Sequence, residues 1–199
     1  MTFLVARLAV PARPGVALLA TFLSAFNPMF LSITGSVNND NLVNALVPTG
    51  LALALSTWRC GFSWQRALAM AVVGTLAAAS KVSGTLLFAP MGLAIALTIW
   101  RDRQPRTWIM GAALLFVMVW LGGLGWWYAR NLNLYGDFFG NAHMARTVGL
   151  REAPISLPEL LRGESGSFFF AYWGWLGGLT ILGPLNLFSL AGVLWVGAA

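Results

Sequence analysis

The sequence predicts an all-α, polytopic integral membrane protein with about six transmembrane helices, and its composition supports this fold class. Of its 199 residues, 58% are hydrophobic and only 9% are charged, whereas soluble domains carry about 25% charged residues. The mean hydropathy of +0.75 points the same way, because lipid can solvate apolar surface that so few charges could not cover in water. The 10 Trp and 22 Gly also fit, since Trp collects at membrane interfaces and Gly is frequent in membrane helices.

The net charge of +6 would suggest a nucleic-acid partner in a soluble protein. Here most Arg residues lie in short segments between apolar runs, as in cytoplasmic loops, so we expect membrane lipids and no nucleic acid as partners. Cys60 is the only cysteine and His143 the only histidine. The sequence therefore excludes an intrachain disulfide and argues against a Cys or His metal site, and it predicts no metal ligands.

The first predicted span covers residues 15–33 and is broken at Asn27-Pro28, because a proline there would kink the helix. A polar patch, residues 36–41, separates it from the second span at residues 42–58. Both stretches are near the length of about 17–25 apolar residues that a crossing helix needs.

Residues 67–100 are too long for one ordinary span, since a straight helix would measure about 50 Å against a hydrocarbon core of roughly 30 Å. Two short spans, 67–80 and 84–100, joined by a turn at Ser80-Lys81-Val82-Ser83-Gly84, would also fit. The positive-inside rule favours this helical hairpin, because it keeps the basic segments on both sides of the stretch in the cytoplasm. Those segments contain Arg59, Arg66, Arg101, Arg103 and Arg106.

The remaining predicted elements are a fifth span at residues 108–128, a long outer-face loop at residues 129–165 and a sixth span at residues 168–198. With this count, residues 1–199 form a single transmembrane domain whose two termini are cytoplasmic. Every short basic loop then lies on one side, and the polar patch, Lys81 and the long loop share the outer face.

Asp40 lies at a predicted membrane boundary beside three Asn residues, among them Asn39. One interpretation is a helix N-cap, since such side chains accept hydrogen bonds from the free N–H groups of a first turn. The other interpretation gives the carboxylate a binding role toward a sugar hydroxyl or a cation. The two interpretations are compatible, and both stay open.

Lys81 is the only lysine, and the two short spans beside it predict that its turn lies in a recess of the outer face. A cation there either binds an anionic lipid phosphate or extends to the interface. Arg130 ends the fifth span on the side where arginine is not needed for orientation, and its guanidinium can hold a phosphate through two hydrogen bonds.

Polar residues continue after Arg130 with Asn131 and with the predicted turn Tyr135-Gly136-Asp137. Asp137 either binds substrate or only caps this turn. His143 is interpreted as solvated more readily than as catalytic. The outer-face recess would thus suit an anionic, membrane-borne substrate, but the residues alone do not name a reaction.

Four blocks occur in a fixed order along the chain. They are Asn27-Pro28-Met29-Phe30 with Val37-Asn38-Asn39-Asp40-Asn41-Leu42, Ser80-Lys81-Val82-Ser83-Gly84 with Pro90, Trp127-Tyr128-Ala129-Arg130-Asn131 with Tyr135-Gly136-Asp137, and the segment from Phe170 to Gly177. Together they resemble the GT-C membrane glycosyltransferases of family 39, which include bacterial relatives of protein O-mannosyltransferases and aminoarabinose transferases. A related uncharacterised bacterial membrane family shares the asparagine-rich block.

The resemblance implies an inverting glycosyltransferase of the bacterial inner membrane. Its donor would be a polyprenyl-phosphate-linked sugar, and its acceptor an envelope glycan, lipid or protein on the outer face. Lys81 and Arg130 would hold the donor phosphate, with Asn39, Asp40, Asn131, Tyr135 and Asp137 shaping the pocket. No cofactor is implied with certainty, and a divalent cation stays open.

The chain departs from the family pattern in one respect. The family's principal catalytic aspartate lies in the first outer loop, and that loop normally precedes the block containing Asp40 by two or more spans. Only residues 1–14 precede the span that leads to Asp40 here. We therefore expect that the principal base lies outside this chain and that the chain by itself is inactive. A non-catalytic polytopic membrane protein or a transporter-like subunit is the alternative.

Overall fold

The structure, a computed structural model, describes residues 1–148, 155–176, 181–183, 188–189 and 192–193. These residues are almost entirely helical, which confirms the all-α class; the one strand among them is the two-residue Ile181–Leu182. The helices are α1 (Thr2–Ala9), α2 (Pro14–Ala25), α3 (Pro28–Thr34), α4 (Asp40–Cys60), α5 (Trp64–Ser80), a 3₁₀ helix (Val82–Leu87), α6 (Phe88–Arg101), α7 (Thr107–Tyr135), α8 (Asn141–Val148) and α9 (Leu157–Trp173).

Two compact units make up the chain. The first contains Met1–Thr21 and Asn38–Gly149, and the second contains Phe22–Val37 and Leu150–Ala199. All seven candidate site residues named above lie in the first unit.

Two helical stretches of the described chain are long and apolar enough to cross a membrane, which points to membrane association. They are Val82–Arg101 and Thr107–Tyr135, each with a mean hydropathy of 1.9. A third crossing is added if α2 and α3, which are bent at the break between them, count as one span. Helices α4 and α5 lie where spans were predicted, but neither meets the same criteria, and α5 has only 17 residues. The count of six spans therefore stays a prediction.

The predicted break at Asn27-Pro28 is confirmed, because α2 ends at Ala25 and α3 begins at Pro28. The buried Asn27 side chain caps α3 by accepting a hydrogen bond from the Phe30 N–H at 2.9 Å. Within the second unit its amide also donates to the Tyr172 carbonyl at 3.1 Å. Proline is tolerated at the first position of a helix, where its missing N–H would have no partner anyway.

The chain reverses at Lys81, where the sequence predicts the hairpin turn. The Lys81 backbone is extended, with φ −157°, and the 3₁₀ helix and α6 follow it. A Cβ on Gly84 would overlap the backbone of Ala77, and one on Gly74 would overlap the Phe88 ring and the Met91 side chain. Position 84 thus lies against position 77, and position 88 lies against position 74, so the chain after Lys81 runs back along α5. Whether the two arms cross a membrane stays a prediction.

The core of the first unit lies between α4, α5, α6 and α7. Its largest fully buried side chains are Met70, Met91, Ile99, Thr57 and Thr98. The two threonines are buried at low cost, because each hydroxyl donates to the carbonyl four residues earlier, at 2.9 Å for Thr57 and 2.6 Å for Thr98. At the carboxyl-terminal end of α4, close to Thr57, the Arg59 guanidinium donates to the last carbonyls of α1.

The structure has helix in much of the segment where the sequence interpretation placed an outer-face loop, residues 129–165. Helix α7 continues past residue 128 to Tyr135 and ends at Gly136, whose φ of +74° suits glycine. Helix α8 follows, and α9 begins after a capping box between Ser156 and Glu159. The polar side chains after residue 128 predict the end of a span, but α7 continues through them to Tyr135. Such side chains are compatible with a helix that extends out of an apolar environment.

The predicted sixth span, residues 168–198, is described only in part. Its first residues belong to α9, which ends at Trp173 before Gly174. Most of residues 177–198 lie outside the described residues.

We predict that Gly84→Ala destabilises the protein by about 1–3 kcal/mol, because the new methyl group must displace the rigid backbone of Ala77. The measurement is thermal unfolding in detergent micelles. Gly92→Ala is the matched control, since nothing lies within 4 Å of a Cβ added there and the change should stabilise α6 by about 0.5–1 kcal/mol. Equal effects of the two substitutions would contradict the close packing of the hairpin.

Candidate functional site

The amino-terminal end of α4 forms one half of the candidate site. The Asn38 side chain accepts a hydrogen bond from the Asn41 N–H at 3.1 Å and so satisfies one free donor of the first turn. Asn39 donates from its amide to the Ser80 carbonyl at 2.9 Å, which joins this end of α4 to the last residue of α5. Asp40 is the first residue of α4, where a carboxylate also interacts favourably with the helix dipole.

Lys81, directly after α5, forms the other half. Its ammonium group donates a hydrogen bond to a carboxylate oxygen of Asp40, and the two residues form an ion pair across 41 positions of sequence. The side chains of Lys81 and Asp40 are 45% and 33% exposed, respectively. An ion pair this accessible to solvent adds only about 0–1 kcal/mol to stability, so the pair can open for a ligand at low cost.

Arg130 lies at the same end of the helices. Tyr128, two residues earlier, packs with Leu124 and with Ala78 of α5, and Ala78 is three residues before Lys81. Two residues correspond to a rotation of about 200° around a helix, so Arg130 faces away from this contact and is exposed. Its guanidinium stacks over the Trp127 ring, 5.4 Å from the centroid. No hydrogen bond or ion pair joins it to Asp40 or Lys81 among the described residues.

Asn131 and Asp137 stabilise the chain after α7. Asn131 is buried and donates from its amide to the Phe138 carbonyl at 3.1 Å. The Asp137 carboxylate accepts hydrogen bonds from four consecutive backbone N–H groups, those of residues 139–142, and so caps α8. This geometry supports the capping interpretation of Asp137. A substrate would have to compete with four hydrogen bonds for that carboxylate.

The same hydrogen bonds, first that from Ala142, lower the pKa of Asp137 below its ordinary value. A carboxyl group whose pKa is lowered by folding stabilises the native state above its unfolded pKa of about 3.9. That contribution is lost as the pH falls through the lowered pKa. The cap of α8 is therefore fully formed at neutral pH.

Tyr135 and His143 form a second contact across the same turn. Their rings stack with centroids 5.3 Å apart and an interplanar angle of 27°. Both side chains are exposed, and the contact holds α8 against the end of α7. His143 thus has a structural neighbour that the sequence interpretation did not anticipate.

An apolar groove of about 450 Å³ lies between α6 and α7 and adjoins the turn after α7. Phe88, Phe116 and Trp120 line it, together with Thr85 of the 3₁₀ helix and Phe139 of the turn after α7. The groove was not foreseen from the sequence, because its walls come from helices whose relative placement the hydropathy pattern does not define.

The structure therefore divides the seven predicted residues into groups. Asn39, Asp40 and Lys81 form one directly connected cluster. Asn131, Tyr135 and Asp137 organise the turn after α7, and Arg130 lies apart from both. In the described part of the chain, no three Asp, Glu, His or Cys side chains converge as metal ligands.

Comparisons with protein-family models, curated proteins and solved structures found no significant match to this chain. The resemblance of the four sequence blocks to GT-C enzymes therefore stays an expectation.

We predict that Asp137→Ala exposes the backbone of α8, because four N–H groups lose their acceptor. Hydrogen exchange followed by mass spectrometry should show faster exchange in residues 139–148, with little change in α5 and α6. Asp137→Asn, which keeps one acceptor oxygen, should give an intermediate rate. Unchanged exchange in the alanine variant would contradict the capping role.

Proposed function

We propose that this chain carries a membrane glycosyltransferase module that uses a polyprenyl-phosphate-linked sugar. The observation that supports the proposal best is the cluster of Asn39, Asp40 and Lys81. It unites two of the sequence blocks that resemble GT-C enzymes at one end of the helices. The third block, which contains Arg130, lies at the same end of the helices.

The chemistry expected of the cluster follows from its charges. Lys81 would release Asp40 and bind the donor phosphate, since a phosphate offers more charge and more acceptors than one carboxylate. Asp40 would then be free to accept a hydrogen bond from a sugar or acceptor hydroxyl. The bond between the sugar carbon and the phosphate oxygen breaks, and the bond from the acceptor oxygen to that carbon forms. The acceptor proton passes to a general base.

Catalysis by the cations would come from the charge that develops on the leaving phosphate. A fixed ammonium or guanidinium group stabilises that charge more in the transition state than in the ground state. Arg130 lies next to Trp127 and Trp126, an aromatic cluster typical of a membrane interface. The adjoining apolar groove offers surface for the first isoprene units of a donor.

The proposal includes a membrane topology with six crossings in the bacterial inner membrane. Both termini would be cytoplasmic, and the cluster of Asn39, Asp40 and Lys81 would face outward. The positive-inside distribution of arginine supports this orientation.

We predict that a cysteine at position 81 is labelled from the outer side by an impermeant thiol reagent. The variant is Lys81→Cys in a Cys60→Ser background, which leaves one thiol in the chain. Arg103→Cys in the same background is the control and should react only after the membrane is opened. Labelling of position 81 only from the cytoplasmic side would overturn the proposed topology.

We predict that Lys81→Met weakens binding of polyprenyl phosphate to the purified protein by about ten- to a hundredfold, since a charge-assisted hydrogen bond contributes about 1.5–3 kcal/mol. The thermal stability should change by less than about 1 kcal/mol, because the pair with Asp40 is partly exposed. Arg130→Gln should also weaken binding. Arg146→Gln, an exposed arginine of α8, is the matched control and should not.

Polyprenol, which lacks the phosphate, supplies the second control for this experiment. Equal affinity for polyprenol and polyprenyl phosphate would remove the phosphate-binding role of both cations. Binding that depends on Arg130 but not on Lys81 would separate the donor site from the cluster with Asp40.

A non-catalytic membrane protein or transporter-like subunit is the second candidate. The observation that favours it is that both candidate carboxylates already have structural partners, Lys81 for Asp40 and four backbone N–H groups for Asp137. Wild-type protein that does not bind polyprenyl phosphate, or binding that is unchanged in the Lys81 and Arg130 variants, would favour this candidate.

A further inference from the structure

A second cavity lies at the opposite end of α6, where the chain turns into α7. Its volume is about 630 Å³. The polar wall is formed by Arg103, Gln104 and Arg106, and the apolar wall includes Leu97, Trp100 and Ile109. The cavity thus combines two guanidinium groups with a strip of apolar surface.

The two cations of this wall are not neutralised within the described chain. Asp102, the neighbouring carboxylate, is held by Arg101 through hydrogen bonds of 2.7 Å and 3.2 Å. Neither Arg103 nor Arg106 forms an ion pair among residues 1–148 or in the shorter described segments. Two positive charges that line one cavity repel each other, and an anion between them would relieve the repulsion.

Two backbone carbonyls beside the guanidinium groups each already accept one backbone hydrogen bond. The carbonyls of Ile99 and Trp100 at the end of α6 accept from the N–H groups of Gln104 and Arg103, at 3.0 Å and 3.3 Å. Arginine side chains elsewhere in this unit do find carbonyls, as Arg59 does at α1 and Arg101 does at Trp58. The contrast indicates that the groups at this cavity serve an external acceptor.

We infer that this cavity binds the phosphate head group of an anionic phospholipid, with an acyl chain along Leu97 and Trp100. The turn joins the two stretches that are apolar enough to cross a membrane, Val82–Arg101 and Thr107–Tyr135, so it lies at a membrane boundary. Arginine binds phosphate through paired hydrogen bonds. Basic pockets between membrane helices on the cytoplasmic side are suited to anionic head groups.

The apolar wall decides between a lipid and a free anion as the source of the phosphate. Trp100 is 73% exposed, and an exposed tryptophan beside a cationic pocket would be covered by the glycerol and upper acyl region of a lipid. Inorganic phosphate would leave this surface uncovered. The inference does not depend on the proposed transferase activity, since its residues lie at the other end of α6 from Lys81.

The test is native mass spectrometry of the detergent-solubilised protein with phosphatidylglycerol or phosphatidylcholine. The wild-type protein should bind phosphatidylglycerol about five- to thirtyfold more tightly, since each of the two arginines near an anionic head group contributes about fivefold. The double variant Arg103→Gln/Arg106→Gln should lose this preference. Glutamine keeps much of the arginine side-chain length. Like arginine it carries a Cβ, so the substitution leaves the backbone strain at φ +51° of residue 103 unchanged.

Two matched variants complete the experiment. Arg13→Gln/Arg146→Gln removes the same charge from exposed positions away from the cavity and should keep the preference for phosphatidylglycerol. Arg103→Lys/Arg106→Lys keeps the charge and should retain part of it, with an unchanged circular dichroism spectrum.

Three results would overturn the inference. The first is an unchanged preference in Arg103→Gln/Arg106→Gln, and the second is an equal loss in Arg13→Gln/Arg146→Gln. The third is that inorganic phosphate displaces phosphatidylglycerol when the two are present at about the same concentration. That result would identify a soluble anion as the ligand.

Discussion

The reversal of the chain at Lys81 is the constraint on which the rest of the first unit depends. An apolar environment requires backbone groups to be paired internally, and the turn achieves this within a few residues. The Lys81 N–H donates to the Ala77 carbonyl at 3.1 Å, and the Gly84 N–H donates to the Lys81 carbonyl at 2.8 Å. Because Gly84 has no side chain, its backbone can approach that of Ala77 closely enough for the 3₁₀ helix to pack along α5.

The candidate site follows from this reversal. It leaves the Ser80 carbonyl and the Lys81 ammonium group at the end of the hairpin, where Asn39 and Asp40 meet them from α4. Both contacts join helix ends, and the Asn39 amide caps the last carbonyl of α5. The Asp40 carboxylate instead pairs with the Lys81 side chain, and a ligand phosphate would exchange this partner of Lys81 for another.

The sequence predicted those features that depend on local chemistry. The break at Asn27-Pro28 follows from the geometry of proline, and the reversal near Lys81 followed from helix length and the positions of arginine. The extension of α7 to Tyr135 was missed because polar residues were taken as the end of a helix, although Gly136 was the stop signal that the chain provides. The pairing of Lys81 with Asp40 could not be foreseen, since hydropathy does not reveal which helices are neighbours.

The most direct test of the central claim is to measure whether the end of α4 lies beside the hairpin turn in native membranes. Cysteines at positions 40 and 81, in a Cys60→Ser background, would be treated with a short bifunctional thiol reagent. The account predicts efficient cross-linking of this pair. It predicts almost none between cysteines at positions 40 and 103, because position 103 lies near the opposite end of α4, about 30 Å away. Failure of the first pair to react, or equal reaction of both, would contradict the arrangement from which the site is built.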